Sequence, residues 1–165
     1  MSMAVGPFSL RNLSGADVSY AADRPSLVCF VKEDCPTCRE IMPVLAAMYE
    51  AFAAGVEFHV IGQTADGNSV LDETFKPPFS LLDDSTLKVS FASDIDTVPT
   101  LFVNGADGAP QKTLVGFVRD EWQAQTEELA AQLQVSAPDL PWAELPEWRP
   151  GCGSLSVDPM IAERL

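Results

Sequence analysis

Residues 32–40 read KEDCPTCRE and set Cys35 and Cys38 three positions apart, with a proline between them and charges on both sides. Two thiols at this spacing suit two kinds of chemistry. In thiol–disulfide exchange one thiolate attacks a substrate disulfide and the second displaces the reduced product from the mixed disulfide. As half of a metal site, the pair would need further ligands, since structural zinc takes four. The chain offers one histidine, His59, and its apolar run Val56-Glu57-Phe58-His59-Val60-Ile61 reads as core rather than as a ligand position. Beside a strand–helix–strand pattern, CxxC reads as redox before metal, and no metal is expected.

The local sequence says how the pair would be held. A strand ending at Asp34 and a helix starting at Pro36 put Cys35 at the helix N-cap, and proline is favoured at the first helical position. An N-cap side chain accepts a hydrogen bond from a backbone N–H two or three positions on, here that of Cys38. The helix dipole adds partial positive charge at the same place. A cysteine so placed has its pKa lowered from about 8.5 into the range of roughly 3.5 to 7.5. Glu33 and Asp34 push the other way by like-charge repulsion. Cys35 is therefore expected to be the outward nucleophile, and Cys38, one turn further in, the buried resolving thiol.

The elements that must position the pair are legible as periods. Ser26-Leu27-Val28-Cys29-Phe30-Val31 reads as a buried strand, and Ile41, Leu45, Met48 and Phe52 mark a helix from Pro36 to about Ala54, stopped by Gly55. A second buried strand at 56–61 completes a βαβ unit. A helix from about Gly67 to Phe75 follows, ended by Pro77-Pro78, then a short strand around Phe79–Leu82 and a helical turn near Ser85–Ala92. The runs 100–103 and 112–115 flank NGADGAP and read as a hairpin. A last helix spans about Asp120 to Leu133, with Trp122, Leu129 and Leu133 inward. No internal repeat is evident.

The bulk properties exclude several classes. The chain has 165 residues, enough for one well-buried core, with 47% hydrophobic residues and a formal charge of −14. That charge argues against nucleic acid, which demands clustered Lys and Arg. No apolar run is long enough to span a bilayer. The opening MSMAVGPFSLRNLSG has neither a basic leader nor an apolar segment, so the expected location is the cytoplasm. Four cysteines in a cytoplasmic chain point to chemistry rather than to a disulfide framework.

With these residues in view, the chain resembles the thioredoxin superfamily, in its redoxin and TlpA-like branches. The resemblance rests on Phe8-Ser9-Leu10, on Gly15-Ala16-Asp17-Val18-Ser19, on LVCFVKEDCPTC, on Pro43 five residues after Cys38, on the run SLLDDSTLKVSFASDIDTVPTLFV, and on Gly116. Together these cover about residues 7 to 134. It implies an α/β thioredoxin-like fold, a central mixed sheet flanked by helices, with an N-terminal β-hairpin and an extended C-terminal tail. It also implies that Val98-Pro99-Thr100 is a cis-proline loop facing Cys35, whose backbone pairs with an extended substrate strand. Two positions depart from the family. Cys29 stands where a buried acid assists the resolving cysteine, and Asp34 stands where a tryptophan is usual. Cys29 reads as a small core residue or an auxiliary thiol, and reduction is expected to be slow or to borrow Glu33 or Lys32 as base.

After Val135 the character changes. APDLPWAELPEWRPGCGSLSVDP is rich in proline and carries no helical or strand period. The expected organisation is a thioredoxin-like domain over 1–135 and a tail or linker over 136–165, docking through Trp142 and Trp148. The end at Leu165, with no capping structure, suggests a further domain. Cys152, in Arg149-Pro150-Gly151-Cys152-Gly153-Ser154, is either an unreactive tail thiol or an auxiliary one. Residues 136–151 could span roughly 50 Å when extended, against a radius of gyration near 14 Å for a domain of this size, so reach allows Cys152 to visit Cys35. The expected activity is thiol–disulfide exchange without a cofactor, by a monomer, between an upstream reductase and a protein disulfide substrate. That substrate is a dedicated partner or the chain's own C-terminal extension. The alternatives are a redoxin-type thiol peroxidase and a non-enzymatic metal-binding or docking module. Against the peroxidase stands the order of residues, since Pro36 and Thr37 follow the nucleophile rather than precede it.

Overall fold

A computed structural model describes residues 3–158 of the chain. Of the expected tail, residues 159–165 lie outside the described part, as do Met1 and Ser2. Strand β3 (Ser26–Val31) is buried at all six positions and runs parallel to β4 (Glu57–Gly62) and antiparallel to β7 (Thr100–Asn104), itself buried throughout. A strand apolar on both faces needs layers on both sides, and helices supply them. The rest of the sheet is built outward from this centre. The hairpin of β1 (Phe8–Asn12) and β2 (Asp17–Tyr20) joins through β5 (Leu82–Asp83) to β4, and β8 (Pro110–Val115) closes the other edge. The order is β2-β1-β5-β4-β3-β7-β8, a mixed seven-stranded sheet.

Helix α1 (Pro36–Phe52) buries Ile41, Leu45, Met48 and Phe52, the stripe its period predicts. Pro43 lies inside it, where it removes one backbone hydrogen bond. Helix α2 (Ala65–Phe75) starts where Thr64 accepts from the Gly67 N–H at 2.9 Å. It ends at Lys76 in the left-handed region, before the two prolines. Helix α3 (Lys88–Ala92) is a single turn, and α4 (Arg119–Leu133) packs Trp122 and Leu129 inward, with Leu133 half-buried. His59 is half-buried, edge-on to the rings of Phe8 and Tyr20, with its Nε2 3.2 Å from Glu57 Oε1. Among the described residues, no helix is long and apolar enough to cross a membrane.

Residues after α4 do not trail away. A helical turn at Trp142–Glu144 leads into β10 (Trp148–Arg149), antiparallel to β9 (Phe117–Val118). Then β11 (Cys152–Gly153) pairs antiparallel with β6 (Thr97–Val98), and a second turn spans Leu155–Val157. Docking through both tryptophan rings is not what holds this segment. Trp142 packs against the core, but Trp148 is 64% exposed and engages through its backbone, paired with Val118.

A buried polar cluster joins this segment to the sheet. Asp84, fully buried, accepts from the backbone N–H groups of Val89 (3.1 Å) and Ser90 (2.7 Å) and from Ser90 Oγ (2.6 Å). Burial pushes its carboxyl pKa up, and these hydrogen bonds oppose the rise. Gln63 Nε2 donates to Ser90 Oγ (3.2 Å) and Ser154 Oγ (2.6 Å), while its Oε1 accepts from the Leu155 N–H (3.0 Å). Asp84→Ala leaves three donors without their acceptor, two of them on the buried Ser90, and is expected to cost about 3 kcal/mol in urea unfolding. Val70→Ala, at an exposed position of α2, is expected to change stability by less than about 0.5 kcal/mol in the same measurement.

Candidate active site

Cys35 is the N-cap of α1, with extended backbone (φ −93°, ψ 115°), and its sulfur accepts from the Cys38 N–H at 3.4 Å. The local cause is Pro36, which has no N–H to offer and a ring that presets the first helical dihedral. On its other side Cys35 Sγ lies 3.6 Å from the carbonyl oxygen of Val98. The Val98–Pro99 peptide bond is cis. Behind it, the Pro99 carbonyl accepts from the N–H of Gly116 at 2.8 Å. Gly116 has φ +67°, a backbone that favours glycine, and its own carbonyl accepts from Trp122 Nε1 at 3.1 Å. One glycine thus ties the Val98–Thr100 loop to α4.

The two thiols differ in charge. The hydrogen bond from Cys38 lowers the Cys35 pKa most, burial opposes it, and the Cys152 thiol and the N–H groups of Cys38 and Thr37 lower it further, to about 5 from an ordinary 9.0. Cys38 is pushed far up by burial and by the Cys35 thiolate, although the Lys32 N–H donates to its sulfur at 3.4 Å. At neutral pH the pair is a Cys35 thiolate held by a Cys38 thiol. Cys29 lies beneath, wholly buried, and burial pushes its thiol up so that it stays neutral.

The expectation of an outward Cys35 needs correction. Both Cys35 and Cys38 are 0% exposed. The cause is β11, which covers the N-terminus of α1 and brings the half-buried Cys152 thiol into hydrogen-bonding reach of Cys35. Burial first, then the neighbouring Cys35, push Cys152 up to about 11.

The bases named from sequence are placed differently. Lys32 Nζ donates to the Gly153 carbonyl at 2.9 Å and lies 3.5 Å from Asp34 Oδ1. The Glu33 carboxylate rests against Gly67 at the start of α2. Thr37, Gln63 and Gly151, which also shape the site through the tail, were not singled out in the sequence. For Gly151 a signal existed, the paired glycines of PGCG, which mark a close backbone approach. Among the described residues, no group of three or more His, Cys, Asp or Glu side chains is placed to hold a metal ion.

No family model matches the chain, and no curated protein does. Solved structures do. A protein from Chlorobium tepidum, provisionally assigned as a thiol:disulfide interchange protein DsbE, superposes with a TM-score of 0.67 at 18% identity, over 80% of this chain and 96% of that one. StoA from Bacillus subtilis gives 0.60 at 20% identity, over 73% and 98%. A secreted Mycobacterium tuberculosis disulfide oxidoreductase homologous to E. coli DsbE gives 0.60 at 19%, over 75% and 95%. At these identities the likeness is one of fold, and the fold is thioredoxin-like.

Proposed function

We propose that this chain, thioredoxin-like in fold, is a thiol–disulfide oxidoreductase acting on protein disulfides. The observation that carries the reading is the Cys35 sulfur, capped by the Cys38 N–H and facing the Val98 carbonyl in front of Pro99. The Cys35 thiolate attacks one sulfur of a substrate disulfide, the S–S bond breaks, and the other substrate sulfur leaves as a thiolate. Cys38 then attacks Cys35, the second substrate sulfur leaves, and the Cys38 proton goes with it. The first substrate thiolate takes its proton from solvent, so the substrate ends as a dithiol and the protein as a Cys35–Cys38 disulfide, which an upstream dithiol reductase reopens. The Val98–Thr100 loop offers the substrate an extended backbone edge. The family's buried acid is replaced by the neutral Cys29, so the Cys38 proton leaves without a carboxylate to take it, and resolution is the slow step.

Insulin reduction with dithiothreitol as electron donor tests this. The wild-type chain is expected to accelerate it, and the double variant Cys38→Ser, Cys152→Ser, which has no second thiol beside Cys35, to accumulate a mixed disulfide between Cys35 and an insulin chain. No acceleration, together with no trapped adduct, would overturn the reading.

A further inference from the structure

The segment 150–154 makes contacts that a loose tail would not. Cys152 pairs with Val98 and Gly153 with Thr97, on the backbone edge beside Cys35. The Pro150 carbonyl accepts from Thr37 Oγ1 at 2.6 Å and the Gly153 carbonyl from Lys32 Nζ at 2.9 Å, while the Ser154 N–H donates to the Asp96 carbonyl at 3.0 Å. Gly151 makes the approach possible. A Cβ there would stand 2.3 Å from Thr97 Cγ2 and 2.6 Å from the Val98 carbonyl oxygen. At Gly153 a Cβ would meet nothing within 4 Å. The chain therefore lays one of its own strands on the edge open to a substrate, with a thiol at the register of Val98.

We propose that residues 150–154 are a built-in substrate strand and that Cys152 is a third redox-active cysteine, exchanging with the Cys35–Cys38 disulfide. This rests on the redox reading above. In the oxidised protein the Cys152 thiolate attacks the Cys35 sulfur, the Cys35–Cys38 bond breaks, and a Cys35–Cys152 bond forms. Cys38 leaves as a thiolate and takes up the proton that Cys152 gave up. One disulfide replaces another, with no net oxidation, and attack by Cys38 on Cys35 reverses the step. An external disulfide reaches Cys35 only when the strand lifts, so strand and substrate compete for one edge. The strand also shows what an external substrate would present on this edge, an extended polypeptide with its cysteine at the register of Val98.

The test is the full-length Cys38→Ser chain treated with oxidised glutathione and read by intact mass and disulfide mapping. Cys35 first takes one glutathione and releases the other, and Cys152 then displaces the bound one. The expected product has lost two hydrogens, carries no glutathione, and links Cys35 to Cys152. Adding Gly151→Val is expected to lower the yield of that link on the order of tenfold in favour of a Cys35–glutathione adduct, by favouring local opening of the strand. Gly153→Ala is expected to keep the link. A stable glutathione adduct at Cys35 with Cys152 free, Gly151 being intact, overturns the built-in strand and leaves the oxidoreductase reading standing. An undiminished link in Gly151→Val also overturns it. No reaction at Cys35, even in the Gly151→Val background, overturns both.

Discussion

Cys35→Ser is expected to abolish catalysed disulfide reduction, lowering kcat/KM by about a thousandfold or more, to the uncatalysed rate with dithiothreitol. A serine hydroxyl at this N-cap accepts the same backbone hydrogen bond, so the helix start survives while the nucleophile is lost. Circular dichroism of the variant should match the wild type. Cys38→Ser differs in kind. Its Cys35 still attacks, and with Cys152→Ser added and no reductant present it consumes one substrate disulfide per chain and stops. A Cys35→Ser chain that retained turnover would show that another thiol, Cys152 being the nearest, opens the substrate.

Ionisation of Cys35 is expected to centre near pH 5, read as the ultraviolet absorbance of the thiolate and compared with Cys35→Ser. An ordinary thiol, of pKa about 8.5 to 9, is only about 1–3% thiolate at pH 7, so the shift raises the reactive fraction roughly thirty- to a hundredfold. Because Cys38 supplies the largest lowering, Cys38→Ala should move the midpoint upward more than Cys152→Ala does, and both should move it upward. The sign for stability follows. The folded-state pKa lies below that of the unfolded thiol, so the thiolate contributes stability that is fully present above pH 9 and is lost as pH falls through about 5. Urea midpoints measured across that window should fall more steeply toward acid in the wild type than in Cys35→Ser. A midpoint near 9 would mean that the helix start does not hold a thiolate.

Much of this arrangement was legible because its causes are local. SLVCFV and the Ile41–Leu45–Met48–Phe52 stripe carry their periods within themselves, and α1 and β3 formed where those periods put them. The N-cap role of Cys35 needed only Pro36 and the strand before it. What the sequence hid is tertiary. β10 and β11 are two residues each, too short to show any period, and β11 is held by partners more than fifty positions away. The same strand buried Cys35, so an exposure judged from its immediate neighbours came out wrong. Likewise the strand expected around Phe79–Leu82 formed as β5 at Leu82–Asp83, and Asp84 beside it became a buried acceptor.

The spacing along the chain of these tail contacts has a consequence for biosynthesis. Lys32 and Gly153 are 121 positions apart, and Thr37 and Pro150 are 113 apart. During synthesis the N-terminal parts of a chain leave the ribosome first. The helix bearing Cys35, the Val98–Thr100 loop and α4 are all complete before residue 148 is made. A growing chain therefore passes through an interval in which every residue around its nucleophile has been made and the strand that covers it has not.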